Sequence, residues 1–317
     1  LTAVRGPSAA PSLDGVLVID KPRGPTSHDV VWRLRRALGV RAIGHAGTLD
    51  PMATGVLVAA VGEATKLVPW LTAHDKSYEA TIALGVETDT LDAEGVEVRR
   101  AAPGEALREA LGSQDAGASP LLRTAFEEER SRTLQVPPAY SAIRSGGERA
   151  FARARRGEHV ELESRPVIVH GLRVLASSAD PPWLRVAVDV GKGYYVRSLA
   201  RDLAKALGTV GHLTALRRTR SGCFVAADAS PLDAPADALR AAVEPLARAA
   251  ARALPTARLS DAGARDARHG RPVLATDLEG CPAALIPCAW LDAEGTLVAV
   301  GQLEEGGHGR VLRGFGP

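Results

Sequence analysis

Gly44-His-Ala-Gly-Thr-Leu-Asp-Pro-Met-Ala-Thr-Gly-Val-Leu57 is the stretch that decides how the rest of the chain is read. Three glycines and a proline fall within the twelve residues from Gly44 to Gly55, so the composition predicts a structured loop and neither an ordinary helix nor a strand. Its acidic residue, Asp50, stands between Gly-Thr-Leu and Pro51, which limits the freedom of the backbone on both sides. A carboxylate held in this way is suited to act as a nucleophile or as a base. An aspartate before proline also caps plain turns, and spacing alone does not separate the two roles.

Upstream, Gly15-Val-Leu-Val-Ile19 reads as a short strand closed by the turn Asp20-Lys-Pro-Arg-Gly-Pro25. A helix follows: Thr26-Ser-His-Asp29 fits a capping box, Val30, Leu34 and Leu38 recur at helical spacing, and Gly39 ends it. Arg33, Arg35 and Arg36 then fall outward and give that helix a basic face. Downstream, Ser77 to Leu84 alternates as a strand, and Asp92-Ala-Glu-Gly95 reads as the turn of a long hairpin returning through Val96-Glu-Val98. Residues 104–134 are helical in composition, interrupted by the low-complexity stretch Gly112 to Ser119. Leu184 to Val190 alternates as a half-buried strand that runs through Gly191-Lys-Gly193 to Arg197. A helix is expected at once, capped by Ser198, with Leu199, Leu203 and Leu207 on one face and Gly208 closing it. Arg197 would then sit at a strand–helix junction, a rigid place for a guanidinium.

Residues 231–254 are Ala-rich and helical, and Pro255 opens a different regime with Val273-Leu274, Ala284-Leu-Ile286 and Leu297-Val-Ala-Val300 as strands. At 317 residues the chain suits one large domain and a modest second one that leans on it. The longest apolar run, Gly55 to Val61, is far short of a bilayer span of ~20 residues, so no membrane segment and a cytoplasmic location are expected. Residues 1–13 lack a sustained apolar core and read as a disordered leader. Cys223, Cys281 and Cys288 show no C-x-x-C spacing and read as buried thiols, and the eight histidines show no paired-ligand spacing, so no metal is expected. The net charge of +2 hides an uneven distribution. Residues 141–220 hold 15 Lys/Arg against 7 Asp/Glu, whereas residues 221–317 hold 9 against 12. A basic middle beside an acidic end suits a face that meets phosphates.

The Gly44–Leu57 stretch closely resembles the signature of the tRNA pseudouridine synthase B (TruB) family, whose members modify uridine 55 in the T-loop of tRNA. The resemblance extends through the chain in family order. Val16-Leu-Val-Ile-Asp-Lys-Pro22 with Thr26-Ser27 is similar to the first motif, and Lys76-Ser-Tyr78 to the tyrosine motif. Gln135 to Ala142 is similar to the thumb-loop motif and Gly193-Tyr-Tyr-Val-Arg-Ser198 to the arginine motif, so that residues 14 to 220 are covered. The resemblance implies that Asp50 is the catalytic carboxylate and that Arg197 pairs with it. It also implies that Tyr78 stacks on the target uracil, that His45 fills the gap left by the flipped base, and that Leu216 lines the pocket. Arg144, Arg149, Arg153 and Lys192 are expected to meet RNA phosphates, most of them from a thumb at about residues 135–160. Arg144 and Phe151 stand where the family commonly has lysine and tyrosine, Ala46 and Tyr195 are smaller departures, and Gly112 to Ser119 looks inserted.

The fold implied is a mixed α/β (α+β) pseudouridine synthase domain, residues 14–254, with a central and largely antiparallel sheet. A small β-rich PUA-like module, residues 255–317, follows it. The expected activity is site-specific uridine isomerisation in the tRNA T-arm, without cofactor, by a monomer that needs no obligate protein partner. An RNA chaperone with catalysis secondary or absent is the alternative. A relative that depends on a guide RNA is disfavoured by the long basic thumb, which suits gripping tRNA directly.

Overall fold

The computed structural model describes residues 13–316, so all but the last residue of the expected leader lies outside the described residues. The first motif forms β1 (Gly15–Lys21) and α1 (Ser27–Leu38). Thr26 caps α1 with the anticipated box to Asp29, and Gly39 ends it in the left-handed conformation. Next come β2 (Ile43–Ala46), β3 (Thr54–Val61) and β4 (Lys76–Leu84), then α2 (Glu105–Gly112) and α3 (Pro120–Arg130). The chain returns through β5 (Val169–Ala179), β6 (Pro182–Val190), α4 (Val196–Ala206) and β7 (Gly211–Ser221). These strands lie in the order β5-β6-β4-β7-β3-β1, with β2 also on β3. Every neighbouring pair is antiparallel except β7 with β3, so the sheet is mixed and largely antiparallel as expected.

Several local expectations shift. The loop is shorter than Gly44–Gly55, because Gly44, His45 and Ala46 pair as β2 and Thr54 and Gly55 already belong to β3. The hairpin breaks away from β4 at Gly85 (φ +100°) and pairs Val86–Thr88 with Glu97–Arg100. Helix α4 starts at Val196 with Tyr195 at its cap, so Arg197 lies in its first turn. Ser198 donates its hydroxyl to Val136 O at 2.9 Å and does not cap the helix. The Ala-rich stretch is two helices, Ala236–Ala241 and α5 (Leu246–Ala253), parted at Pro245.

A second sheet contains β8 (Thr256–Leu259), β9 (Cys288–Leu291), β10 (Leu297–Leu303) and β11 (His308–Gly314), with the short strands Val273–Leu274 and Leu278–Glu279 at its edges. Ala284–Ile286 is a turn and not a strand: Leu285 has φ +65°, and prolines 282 and 287 bracket the segment. Trp290 fills the centre of this small core, leaving no room for a side chain at Gly301 or Gly309. Alternation along β1 explains how the two sheets join. Leu17 and Ile19 enter the main core, which α1 and α4 also line, while Val16 and Val18 pack on the other face with Ala289, Leu297, Val300 and Phe315. Burial on both faces also accounts for the unbroken apolar run of β3.

Candidate active site

The turn from Gly47 to Ala53 carries Asp50 and lies where β2 and β7 part from each other along one side of β3. There β7 pairs with Thr54 and Gly55, and β2 pairs with the last four residues of the strand. Two glycines permit this. Gly55 has φ +98°, and a Cβ there would lie 2.2 Å from the Arg218 carbonyl oxygen; Gly47, at φ +91°, rests against the Arg218 guanidinium. Two buried cations hold the loop from below. Lys21 Nζ donates to the carbonyls of Pro22 (3.0 Å), Pro51 (3.2 Å) and Ala53 (2.7 Å). Arg218 donates to Val56 O (2.7 Å), Gly47 O (3.1 Å) and Thr48 O (3.5 Å). Ser27, at the start of α1, closes a third side by donating to Leu49 O (3.1 Å) and accepting from Leu49 N (2.8 Å). Burial pushes the Lys21 ammonium down to about 8, against the opposing pull of the Asp50 charge, and pushes Lys76 at the start of β4 down to about 8 as well.

Asp50 meets Arg197 above this platform. Arg197 Nε lies 2.9 Å from Oδ2, close enough for charge pairing although its N–H points off that line, and Nη2 donates to Oδ1 at 3.2 Å. Arg197 is only 7% exposed, and its guanidinium is filled out by Thr90 O (3.1 Å), Tyr140 O (2.9 Å) and the Asp92 carboxylate at 3.6 Å. Asp50 keeps about a third of its side chain open to solvent. The arrangement therefore leaves one carboxylate orientated, partnered and reachable. Tyr78 on β4 pairs across to Arg218 on β7, and Leu216, two residues earlier on β7, pairs with Ala80; both side chains are buried in the main core. His45 on β2 is half-buried with Nδ1 unpartnered, and burial, then Arg218 and His28, lowers its pKa.

With this geometry in hand, comparison with known proteins is decisive. Residues 35–196 match the TruB family pseudouridylate synthase N-terminal domain, and residues 197–254 match the tRNA pseudouridylate synthase B C-terminal domain. The chain belongs to the TruB family of pseudouridine synthases. Among its relatives, a tRNA pseudouridine synthase B of Mycobacterium sp. (strain KMS) is 45% identical over 294 residues, covering 92% of each chain. One from Thermobifida fusca is 48% identical over 266 residues, covering 82% of this chain and 86% of its own. The fold resembles that in a Cbf5-Nop10-Gar1 complex, with TM-score 0.71, 25% identity, and coverage of 96% of this chain and 84% of that one. It also resembles an H/ACA ribonucleoprotein bound to a substrate RNA containing 2′-deoxyuridine, with TM-score 0.71, 24% identity, and coverage of 96% and 86%.

In this TruB-family chain the segment expected to form a thumb, at about residues 135–160, is anchored at its root. The Gln135 side chain exchanges hydrogen bonds with Tyr195 N (2.9 Å) and Tyr195 O (3.2 Å), and Val136 O also accepts from Arg201. Further out, its cations divide into two sets. Arg153 and Arg156 are bound to Glu158 at 2.8 and 2.7 Å, and Arg156 also holds Glu148. Arg149 and Arg155 instead lie over the Phe151 ring at 5.9 and 5.4 Å, and Arg144 opposes Arg149 in a two-residue ladder. Arg153 is therefore partly spent on structure, whereas Arg155 is exposed and, among the described residues, forms no salt bridge. Lys192 is exposed in the turn after β6, near enough to Lys76 to depress it. Lys21, Arg218 and Asp92 were not singled out as site residues from sequence. Lys21 lies within the first motif and Arg218 two residues after Leu216, but their carbonyl partners come from a loop folded over them. Among the described residues no cluster of three or more His, Cys, Asp or Glu side chains could hold a metal, and no helix is long and apolar enough to cross a membrane. Of the cysteines only Cys288 is fully buried; its Sγ lies 3.6 Å from that of Cys281.

Proposed function

We propose that the protein isomerises uridine 55 in the T-loop of tRNA to pseudouridine, with Asp50 as its essential carboxylate. The observation that carries this is the contact of Asp50 with the buried Arg197 guanidinium on a loop clamped from below. The reaction breaks uracil N1 from ribose C1′, turns the base and joins C5 to C1′, after which C5 gives up its proton and N1 takes one up, so that the product is an isomer of the substrate. An ionised carboxylate at the ribose serves whether it attacks C1′ or takes the proton from C2′, and the Arg197 guanidinium holds its orientation. Tyr78 supports the uracil ring, Leu216 supplies apolar wall, and His45 takes the place of the extruded base in the T-loop. Extrusion costs a few kcal/mol, which stacking and phosphate contacts offset. Arg144, Arg149 and Arg155 of the thumb, with Lys192, meet the phosphates, and Arg153 shapes the thumb.

The two relatives above, each a tRNA pseudouridine synthase B, support tRNA as substrate. In the same reading residues 14–254 form the catalytic domain, residues 255–317 are a PUA-like module with a limited RNA contact, and the monomer works without cofactor. The test is tritium release from an unmodified tRNA transcript labelled at uridine C5, with the product position mapped. Release at the T-loop uridine by the parent, and a loss of at least about 1000-fold in Asp50→Asn, is expected. Tight tRNA binding without release by either protein would leave only an RNA chaperone.

A further inference from the structure

Helix α1 presents an unusual outer face. Of the four tryptophans, Trp32 alone is exposed, at 53%, and Arg36 one turn later lies over its ring at 4.8 Å from the centroid. His28, Trp32 and Arg36 form one ridge, with the exposed Arg33 beside it and the exposed Arg41 just past the helix. The carboxylate on this face is already engaged: Asp29 accepts from Thr26 N at 2.8 Å and Thr26 Oγ1 at 2.7 Å. Arg35 is likewise engaged, donating to Ile43 O at 2.8 Å. Among the described residues Arg33, Arg36 and Arg41 form no salt bridge, although the Arg33 charge reaches Asp29. The helix borders the site at both ends, since Ser27 braces Leu49 in the Asp50 loop and Arg35 holds the strand that carries His45.

We propose that the outer face of α1 is a second RNA-contact surface, on which one unpaired base of the substrate RNA stacks against Trp32 while neighbouring phosphates meet Arg33, Arg36 and Arg41. The inference rests on the RNA-modifying reading above and adds a contact to it. An exposed indole with an arginine on it, ringed by cations free of salt bridges, is the combination that grips single-stranded nucleic acid: the ring accepts any base and the guanidiniums track the backbone. A protein partner or a second copy fits less well, because a stable interface needs an apolar centre and the neighbours of Trp32 on this face are His28, Arg33 and Arg36.

The experiment uses the full chain and an unmodified tRNA transcript, measuring equilibrium binding across a salt series and single-turnover tritium release at saturating RNA. Trp32→Ala should weaken binding roughly 10-fold, Trp32→Phe should recover most of it, and the Arg33→Ala/Arg36→Ala double variant should lower the slope of log affinity against log salt by about 2. The rate at saturation should stay at the parent value in all three. Parent affinity and parent salt slope in both Trp32→Ala and the double variant would overturn the proposal, as would a change of oligomeric state in Trp32→Ala without loss of RNA binding. A parent that binds the transcript but releases no tritium would remove the isomerase reading, and the binding comparison would still decide this one.

Discussion

The surroundings of the Asp50 loop and the thumb are both rich in cations and use them in opposite ways. Around the loop, Lys21 and Arg218 below it and Arg197 above it are almost wholly buried, and their partners are backbone carbonyls and, for Arg197, two carboxylates. In the thumb, Arg153 and Arg156 pair with glutamates at the surface, while Arg144, Arg149 and Arg155 are left to solvent or to Phe151. Burial makes the difference. A desolvated guanidinium must have its donors satisfied, so it dictates where the carbonyls around it lie. An exposed one adds little to stability and remains available to phosphate.

The contrast is most severely tested at Arg218. Arg218→Met strands the carbonyls of Gly47, Thr48 and Val56 and should cost roughly 3–5 kcal/mol in urea unfolding, together with most of the single-turnover rate. An unchanged unfolding midpoint and rate would mean that the loop stands without its clamp. Next is Arg197→Lys, which keeps the charge but loses the planar fork. Its rate at saturating RNA should drop about 100-fold with affinity little altered, and a loss of affinity alone would reassign Arg197 to RNA binding.

A third measurement uses pH. Because the folded pKa of Lys21, about 8, lies below its unfolded value, the charged ammonium destabilises the fold; that cost disappears as pH rises through 8 toward 10.4. The parent should therefore gain roughly 1.5 kcal/mol relative to Lys21→Met between pH 8 and pH 9.5. Cys288, pushed up to about 12 by burial, works in the opposite direction but is common to both proteins and cancels. A difference independent of pH would place the Lys21 charge in solvent. The smallest effect belongs to the thumb: Arg149→Ala should leave stability within about 0.5 kcal/mol while lowering the salt slope of tRNA binding by about 1. A thumb arginine whose loss unfolded the protein would erase the distinction.

Much of the architecture was legible in the chain itself. The capping box at Thr26, the helical spacing of Val30, Leu34 and Leu38, and the alternation in β4 and β6 are local signals, and they produced the expected elements because burial of their apolar faces agreed with local preference. Where tertiary context overrode local preference, the reading slipped. Gly44 to Ala46 looks like loop yet pairs as β2, because β3 offers it an open edge. Ala284–Ile286 looks like strand yet turns between prolines. Arg153 looks like any other thumb cation until Glu158 folds back beside it.

The sequence by itself determined the order of motifs, the sheet and helices they build, and the presence of one aspartate in a constrained glycine- and proline-rich turn. Short-range propensities and long, specific motifs encode those features. Only the tertiary structure decided that Lys21 and Arg218 spend their charge on the carbonyls of that turn, that Asp92 backs Arg197, and that Trp32 is left outside. These depend on which residues meet across separations of 32, 162 and more positions, and on how much water each meeting excludes, which no local pattern records.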